Sequence, residues 1–261
     1  MITESLSFPA MNTYFEMFLW HHQTYAFLHE VCGEAQRQVL KLEQILSRYN
    51  VDAEVYQLNR TATEQPQRVS PVLFQYLEQS LRLCQQTQGL FNIGYCADTA
   101  LTDCLHLDHS RSEAFFSDPS LQLDFGGIGK GIALKKIAEI LDIYEIAHAF
   151  VSFGGSSILT KGRHPYADHW LFDLRNSEWD HPLPMTDSSL SISGYQGQNH
   201  HQQQHIINPE KKQKQHRHQL VVVQHHCPME AEAISTALMV ADQGQRQHIL
   251  EAFEVEDLFL L

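Results

Sequence analysis

Four glycines and one lysine lie close together in LDFGGIGKG, residues 123–131, between a short apolar run and an amphipathic repeat. Glycine is favoured where another group must approach the main chain, and the first turn of a helix attracts anions. The segment therefore fits a phosphate-binding turn with Lys130 as the cation, although its spacing matches neither GxxxxGK[ST] nor GxGxxG. A tight strand-to-helix turn packed against a neighbouring element explains the same glycines.

A second polar set lies in EAEAISTALMV, residues 230–240. Glu232, Ser235 and Thr236 are spaced i, i+3 and i+4, so they share one face of a predicted helix. A carboxylate and two hydroxyls are hard oxygen donors, which suit Mg²⁺ better than Zn²⁺. The alternative is an ordinary first helical turn, in which the glutamate interacts favourably with the helix dipole.

Histidines are concentrated in HHQQQHIINPEKKQKQHRH, residues 200–218, which holds five of the seventeen in the chain. A His-rich tract can bind metal, but the interleaved glutamines and lysines favour a solvated loop. His205 differs because it precedes the apolar pair Ile206-Ile207 and a turn at Asn208-Pro209. This context predicts a strand end that holds the imidazole in place, for either a structural or a functional purpose.

Composition limits the classes of function. A net charge of −13 argues against nucleic-acid binding, which needs a basic face. No apolar run is long enough to span a bilayer, and the first residues lack the basic and apolar regions of a signal peptide. The five cysteines are odd in number and scattered without a CxxC, which predicts free thiols in a reducing compartment and a cytoplasmic protein.

Helices and strands interleave without an internal repeat or a linker, so we predict one α+β domain of two packed layers over residues 1–261. Strands are predicted at 12–20, 147–153, 170–175, 189–194, 219–226 and 255–261. Helices are predicted at 34–49, from Ser70 to Gly89, after the glycine segment, at 230–242 and at 245–253. Residues 59–68 are expected to form a loop, and residues 90–122 to be mostly irregular. Turns at Gly154-Gly155 and Ser193-Gly194 follow predicted strands and suggest loops gathered around a ligand at one sheet edge.

The order of these motifs resembles the ApbE family, the FAD:protein FMN transferases, over nearly the whole chain. The matching segments are Met11-Asn12-Thr13 for Met-Gly-Thr, LSRYN at 46–50 with Leu58-Asn59 for Leu-Ser-x-Tyr and Leu-Asn, GLFN at 89–92 for Gly-x-Phe-Asp, the glycine segment for Leu-Asp-x-Gly-Gly-x-x-Lys-Gly, Gly154-Gly155 for Gly-Gly-Asp, Ser193-Gly194 for Ser-Gly, HIINP for His-Ile-x-Asp-Pro, and AEAIST for Ala-Asp-x-x-Ser-Thr. The residue type departs from the family motif at Asn12, Asn92, Ser156, Asn208 and Glu232.

The resemblance implies a two-layer α/β fold of the T-fold kind, FAD as a substrate and Mg²⁺ as a cofactor. It also implies cleavage of the FAD pyrophosphate, transfer of FMN to a Thr or Ser of an acceptor protein, and release of AMP. Lys130 and His205 would be catalytic. The FAD-binding set implied by the resemblance is Met11, Tyr49, Leu90, Phe91, Asn92, Asp124, Lys130, His205 and Ile207. The metal would be held by the Gly127 carbonyl with Glu232, Ser235 and Thr236.

Two other activities are compatible with the same scaffold. One is an FAD pyrophosphatase that releases FMN and AMP without an acceptor. The other is a catalytically weak or inactive protein that only binds FAD or a partner. The loss of carboxylates at several motif positions lowers the negative charge near the implied metal. Weaker Mg²⁺ binding would follow, and it is compatible with either of these activities.

Overall fold

The computed structural model describes residues 1–95, 99–174, 182–194, 220–255 and 257–260. Within these ranges the strands are β1 Ile2–Ala10, β2 Thr13–His21, β3 Gln67–Arg68, β4 Gly94–Tyr95, β5 Leu105–Asp108, β6 Glu113–Phe116, β7 Gln122–Leu123, β8 His148–Phe153, β9 Ser157–Lys161, β10 Trp170–Phe172, β11 Leu183–Met185, β12 Ser189–Gly194, β13 Leu220–His225 and β14 Asp257–Leu260. The helices are α1 Tyr25–Leu46, α2 Glu54–Thr61, α3 Pro71–Gln86, α4 Leu101–Cys104, α5 Gly129–Ile143, α6 Pro228–Leu238 and α7 Gln243–Ala252.

The main sheet of the described chain has seven antiparallel strands in the order β1-β2-β8-β9-β12-β13-β14. Helices α1, α5 and α6 pack on one face of it and enclose the larger apolar core. On the opposite face, the β10–β11 hairpin brings Trp170 and Met185 onto a smaller apolar cluster. Successive side chains of β13 point to opposite faces of the sheet. Val221 and Val223 therefore join the larger core, while Val222 joins the smaller one. The predicted two-layer α+β domain is confirmed.

The sheet begins with a hairpin whose two-residue turn is Met11-Asn12. Both residues have positive φ, 49° and 62°, which is the backbone of a type I′ turn and matches the right-handed twist of the strands. Asparagine tolerates this left-handed conformation better than most residues. Asn12 can therefore stand where the family motif has glycine without breaking the turn.

Segments with a strong apolar periodicity formed the helices and strands that were predicted for them, whereas segments with a weak periodicity were predicted less well. Ser70 accepts a hydrogen bond from the Leu73 N–H and caps α3 as predicted, with Pro71 in its first turn. The helix predicted at 34–49 is longer at its start, since α1 runs from Tyr25 to Leu46 behind a Thr24 cap. The loop predicted at 59–68 was wrong at its start, where α2 continues to Thr61.

Several stretches of regular structure were not predicted, including α2, β3 and β11. Strand β1 was missed because only one face of this edge strand is covered, so serine, threonine and glutamate occupy many of its positions. Strand β9 was missed, although it follows directly after the Gly154-Gly155 turn. The prediction that residues 90–122 are mostly irregular was wrong, because β4 to β7 and α4 form there as short elements, and β4 and β6 also pair with strands distant in sequence.

Two further findings concern thiols and membranes. The four cysteines in the described residues, Cys32, Cys84, Cys104 and Cys227, are free. Burial raises the pKa of the Cys32 and Cys84 thiols to about 12 and about 11, so both stay protonated at neutral pH. None of the described helices has the length and apolar character that a bilayer span requires.

The Met11-Asn12 turn generates a stability prediction. Asn12→Gly should change the free energy of unfolding by no more than about 0.5 kcal/mol, because glycine adopts the same φ without strain. Asn12→Val should destabilise the chain by about 1–2 kcal/mol, because a β-branched residue is strained at positive φ. Urea unfolding followed by circular dichroism measures both, and equal stability of the two variants would contradict the assigned turn.

Candidate functional site

The buried carboxylate of Glu232 lies at the centre of the site. Its residue is 4% exposed, in the second turn of α6. Oε2 accepts the Gly131 N–H of α5 at 2.8 Å, and Oε1 accepts the Ser157 hydroxyl of β9 at 2.5 Å. A buried carboxylate is stable only with such partners. Glu232 therefore joins α6 to α5 and to the main sheet.

Lys130 brings a positive charge to the same carboxylate. Its Nζ lies 3.3 Å from Glu232 Oε1 and donates to the hydroxyls of Ser156 and Ser157, each at 2.7 Å. The side chain is only 24% exposed, so the ammonium is held by these groups and not simply solvated. The lysine of the glycine segment and the serines after Gly154-Gly155 thus meet, although they are more than twenty residues apart.

Ser235, one turn after Glu232, is fully buried within a chain of hydroxyls. Its Oγ lies 2.9 Å from Ser191 Oγ and 2.8 Å from Ser193 Oγ, both on β12, and also contacts the Glu232 carbonyl at 3.1 Å. Thr236 is half-buried on the same side of the helix. The structure therefore brings the Ser193-Gly194 turn to the predicted metal-binding face of α6.

The four glycines of residues 126–131 do not share one role. A Cβ on Gly131 would lie 2.6 Å from the Pro228 carbonyl oxygen and 2.9 Å from Met229 Cα, so this glycine is required for α5 to pack against α6. A Cβ on Gly127 would meet nothing within 4 Å, and the residue is exposed. Of the two explanations for these glycines, close packing against a neighbouring element accounts for Gly131.

Asp124 lies at the start of the glycine turn and accepts the Gly126 N–H at 2.8 Å. Its other oxygen is 3.3 Å from Arg48 Nε, and the Arg48 guanidinium lies 4.8 Å from the ring centroids of both Tyr49 and Tyr95. This cation–π arrangement leaves Tyr49 69% exposed beside the glycine turn. Tyr49 and Asp124, both predicted to contact FAD, are thus brought together through Arg48.

Asn59 fixes the strand that leads into the glycine turn. Its amide donates to the Leu123 carbonyl at 2.9 Å and accepts the Leu123 N–H at 2.7 Å, which imitates one step of β-pairing. The side chain is buried, so both hydrogen bonds are shielded from water. Leu58-Asn59 was noted only as a family landmark, and its positioning role was not predicted.

Residues 90–92 run beside the same strand. The Asp124 N–H donates to the Ile93 carbonyl, and Gly94 pairs with Leu123. Leu90 and Phe91 are 2% and 1% exposed, so neither offers free surface to a nucleotide in this structure, and their predicted contact with FAD stays a prediction. The Asn92 side chain accepts the Gly94 N–H at 2.6 Å.

Met11 lies beside Gly129, the first residue of α5. Its sulfur would be 3.8 Å from a Cβ on Gly129, which is ordinary contact distance, and its N–H donates to Glu43 at 2.7 Å. His205 and Ile207, with Asn208, fall outside the described residues, so their predicted roles stay predictions. Sequence reasoning had noted Ser156 and Ser193 only as parts of turns and had assigned no role to Arg48 or Ser157.

The donor set is chemically suited to a magnesium ion. The Glu232 carboxylate, the hydroxyls of Ser235 and Thr236 and the exposed Gly127 carbonyl are all hard oxygen donors. Lys130 Nζ lies 3.3 Å from Glu232 Oε1, so a positive charge is favourable at this position. The donor types of these residues therefore suit the ion, with Lys130 as its competitor for Glu232.

Comparison with known proteins identifies the family. The model of the ApbE family matches residues 11–259, so the chain belongs to the ApbE family. A curated relative, the FAD:protein FMN transferase of Chlamydia muridarum, is 26% identical over 63% of this chain, and the match spans 60% of the relative's length.

Solved structures share the fold across the whole chain. The flavin transferase ApbE of Vibrio cholerae superposes with a TM-score of 0.84 at 20% identity, covering 99% of this chain and 93% of that one. The apo flavinyl transferase ApbE of Pseudomonas stutzeri gives 0.84 at 18% identity, covering 99% and 90%. The ApbE protein of Thermotoga maritima gives 0.82 at 15% identity, covering 99% and 97%.

The two kinds of glycine generate a matched pair of variants. Gly131→Ala should destabilise the chain by about 1–3 kcal/mol, because its Cβ would overlap the main chain of α6. Gly127→Ala should change stability by no more than about 0.5 kcal/mol, because nothing surrounds its Cβ. Denaturant unfolding of both proteins measures this contrast, and similar losses in the two variants would contradict the packing of α5 on α6.

Proposed function

We propose that this chain is an Mg²⁺-dependent FAD:protein FMN transferase that modifies a Thr or Ser of an acceptor protein and releases AMP. The single observation that carries the proposal is the meeting of Lys130 with the buried carboxylate of Glu232 beside the exposed glycine turn. Family membership and the named activity of the Chlamydia relative support it.

The proposed reaction exchanges one phosphorus–oxygen bond for another. The acceptor hydroxyl oxygen attacks the phosphorus on the FMN side of the FAD pyrophosphate, and the bond from that phosphorus to the bridging oxygen breaks. AMP leaves with that oxygen, and the hydroxyl proton passes to a base. His205 is our candidate for the base, because an imidazole titrates near neutral pH.

A divalent cation would be held by Glu232, Ser235, Thr236 and the Gly127 carbonyl. When bound, it would supply Lewis-acid neutralisation of the charge that develops on the phosphate oxygens. The exposed, unobstructed main chain at Gly127 supports this set, since a carbonyl there can be reached from solvent.

Lys130 is proposed to exchange partners during turnover. In this structure its ammonium is satisfied by one carboxylate and two hydroxyls. A phosphate of the substrate offers stronger anionic acceptors than the hydroxyls of Ser156 and Ser157. Lys130 would therefore turn towards the pyrophosphate and stabilise the leaving AMP.

The flavin end of the substrate is proposed to lie near Tyr49 and Met11, with Asp124 at the beginning of the glycine turn. The exposed Tyr49 ring offers an aromatic face for stacking. Asn92 would contribute its side-chain amide next to Asp124, and the buried Leu90 and Phe91 would support it from behind. The free thiols support a reducing compartment, so we place the acceptor in the cytoplasm.

The activity test uses the purified chain with FAD, Mg²⁺ and an FMN-acceptor domain that presents its target Thr. We expect the acceptor band to become fluorescent on a denaturing gel, with one AMP released per FMN transferred. EDTA should abolish both signals, and a Thr→Val acceptor should stay dark. AMP release without fluorescence would establish a pyrophosphatase, and flavin retention without AMP would establish a binding protein. Either outcome would overturn the transferase proposal.

Two variants test the proposed residues. Glu232→Gln keeps one acceptor oxygen for the Gly131 N–H and presents an amide N–H that the Ser157 hydroxyl can accept, but it removes the charge, and it should reduce FMN transfer by about 10²-fold or more. His205→Ala should cost about 10²-fold or more, as expected for loss of a general base. His29→Ala, at an exposed position of α1, should leave transfer unchanged. Full activity in the first two variants, with unaltered circular dichroism in all three, would rule out the site.

A further inference from the structure

A second cluster of ligand-type side chains lies where β13 turns into α6. The ligand atoms of His225, His226 and Glu230 all lie within 4.8 Å of one another. His225 is buried at the end of the strand, His226 is exposed, and Glu230 is partly buried in the first turn of the helix. The strand end and the helix start thus present three donors to one point.

From this geometry we propose that His225, His226 and Glu230 bind a transition-metal ion of the Zn²⁺ class. Two imidazoles and one carboxylate are the ligands that suit Zn²⁺, Ni²⁺ or Cu²⁺, whereas Mg²⁺ prefers oxygen alone. Three protein ligands leave one position of a tetrahedral ion open to water or another donor.

The spacing of the donors is close to that of ligands around zinc. His225 Nε2 and Glu230 Oε2 are 3.7 Å apart, which is too long for a hydrogen bond. Bond lengths of about 2.0–2.2 Å to a tetrahedral Zn²⁺ place neighbouring ligand atoms roughly 3.3–3.5 Å apart. A contraction of a few tenths of an ångström would therefore bring these two atoms onto one ion.

The neighbouring main chain can fix the ring of His225 for ligation. Its Nδ1 accepts the Cys227 N–H at 3.1 Å and also lies 3.3 Å from the Cys227 carbonyl oxygen. When Nε2 binds an ion, the imidazole proton would be carried on Nδ1 and donated to this carbonyl in place of the bond that Nδ1 accepts from the Cys227 N–H. Metal-bound histidines are commonly held by such a hydrogen bond to a main-chain carbonyl.

The other two ligands are free to adjust. The His226 ring lies 4.1 Å from the His225 ring, centroid to centroid, and is exposed to solvent. Glu230 forms a salt bridge with Arg82, in which Nη2 lies 3.3 Å from Oε1. The other oxygen, Oε2, is the one near His225. Since the Arg82 side chain is 59% exposed, it can move away when an ion takes its place.

This cluster is separate from the proposed magnesium site. Glu230 and Glu232 are two residues apart on α6, which places their side chains about 200° apart around the helix. Glu232 faces α5 and β9, whereas Glu230 faces Arg82 of α3. The two sites would use opposite sides of one helical turn.

Zinc titration of the metal-free full chain, in competition with a chromophoric chelator and without FAD, tests the proposal. His226→Ala and Glu230→Gln should each lose one equivalent of Zn²⁺, or bind it about tenfold or more weakly, since even outer-shell partners are worth that much. His226 is exposed, so its variant should fold normally. The histidines of residues 200–218 remain in every protein, so their binding cancels in the comparison.

Two control variants locate the loss. His248→Ala, exposed on α7, should bind Zn²⁺ like the parent chain, and Glu232→Gln should also retain the ion. The proposal is overturned if His226→Ala and Glu230→Gln match the parent in both stoichiometry and affinity. It is equally overturned if Glu232→Gln abolishes the same equivalent, because the ion would then belong to the other face of α6.

Discussion

The structure depends on one buried carboxylate. Glu232 reaches from α6 to a main-chain N–H of α5, a hydroxyl of β9 and an ammonium, and a charge buried to this degree is unstable without such partners. Satisfying it fixes the relative positions of two helices and the sheet. It also requires α5 to approach α6 so closely that residue 131 has no room for a side chain. The polar centre and the tight helix packing are therefore one constraint.

That constraint also explains how the chain accommodates departures from the family motif. Ser156 replaces an aspartate and gives Lys130 a hydroxyl, so the carboxylate that pairs with this lysine in the described residues is Glu232. Asn12 replaces a glycine at a φ of 62°, a conformation that asparagine tolerates. Asn12, Ser156 and Glu232 thus each keep a local physical function in the folded chain.

Around this centre, short polar contacts position the turn that faces solvent. Asn59 pairs with the main chain of β7, and Arg48 joins Asp124 to two tyrosine rings. These contacts hold Asp124 while leaving Gly127 accessible. A ligand that approaches the glycine turn would meet an exposed main chain with its anchoring side chains already fixed, which lowers the entropic cost of binding.

The sequence by itself determined the elements with strong local signals, such as the capped α3 and the apolar β13, together with the motif order that indicates the family. It also placed Glu232 and Ser235 on one helical face, because helical periodicity is local. Only the tertiary structure decided that Gly131 serves packing while Gly127 is open, and that Glu232 meets a residue 101 positions away. Contacts at such separations follow from the strand order and from how helices pack on the sheet. Local propensity carries no information about either, and so the partners of each polar side chain were settled by the folded chain.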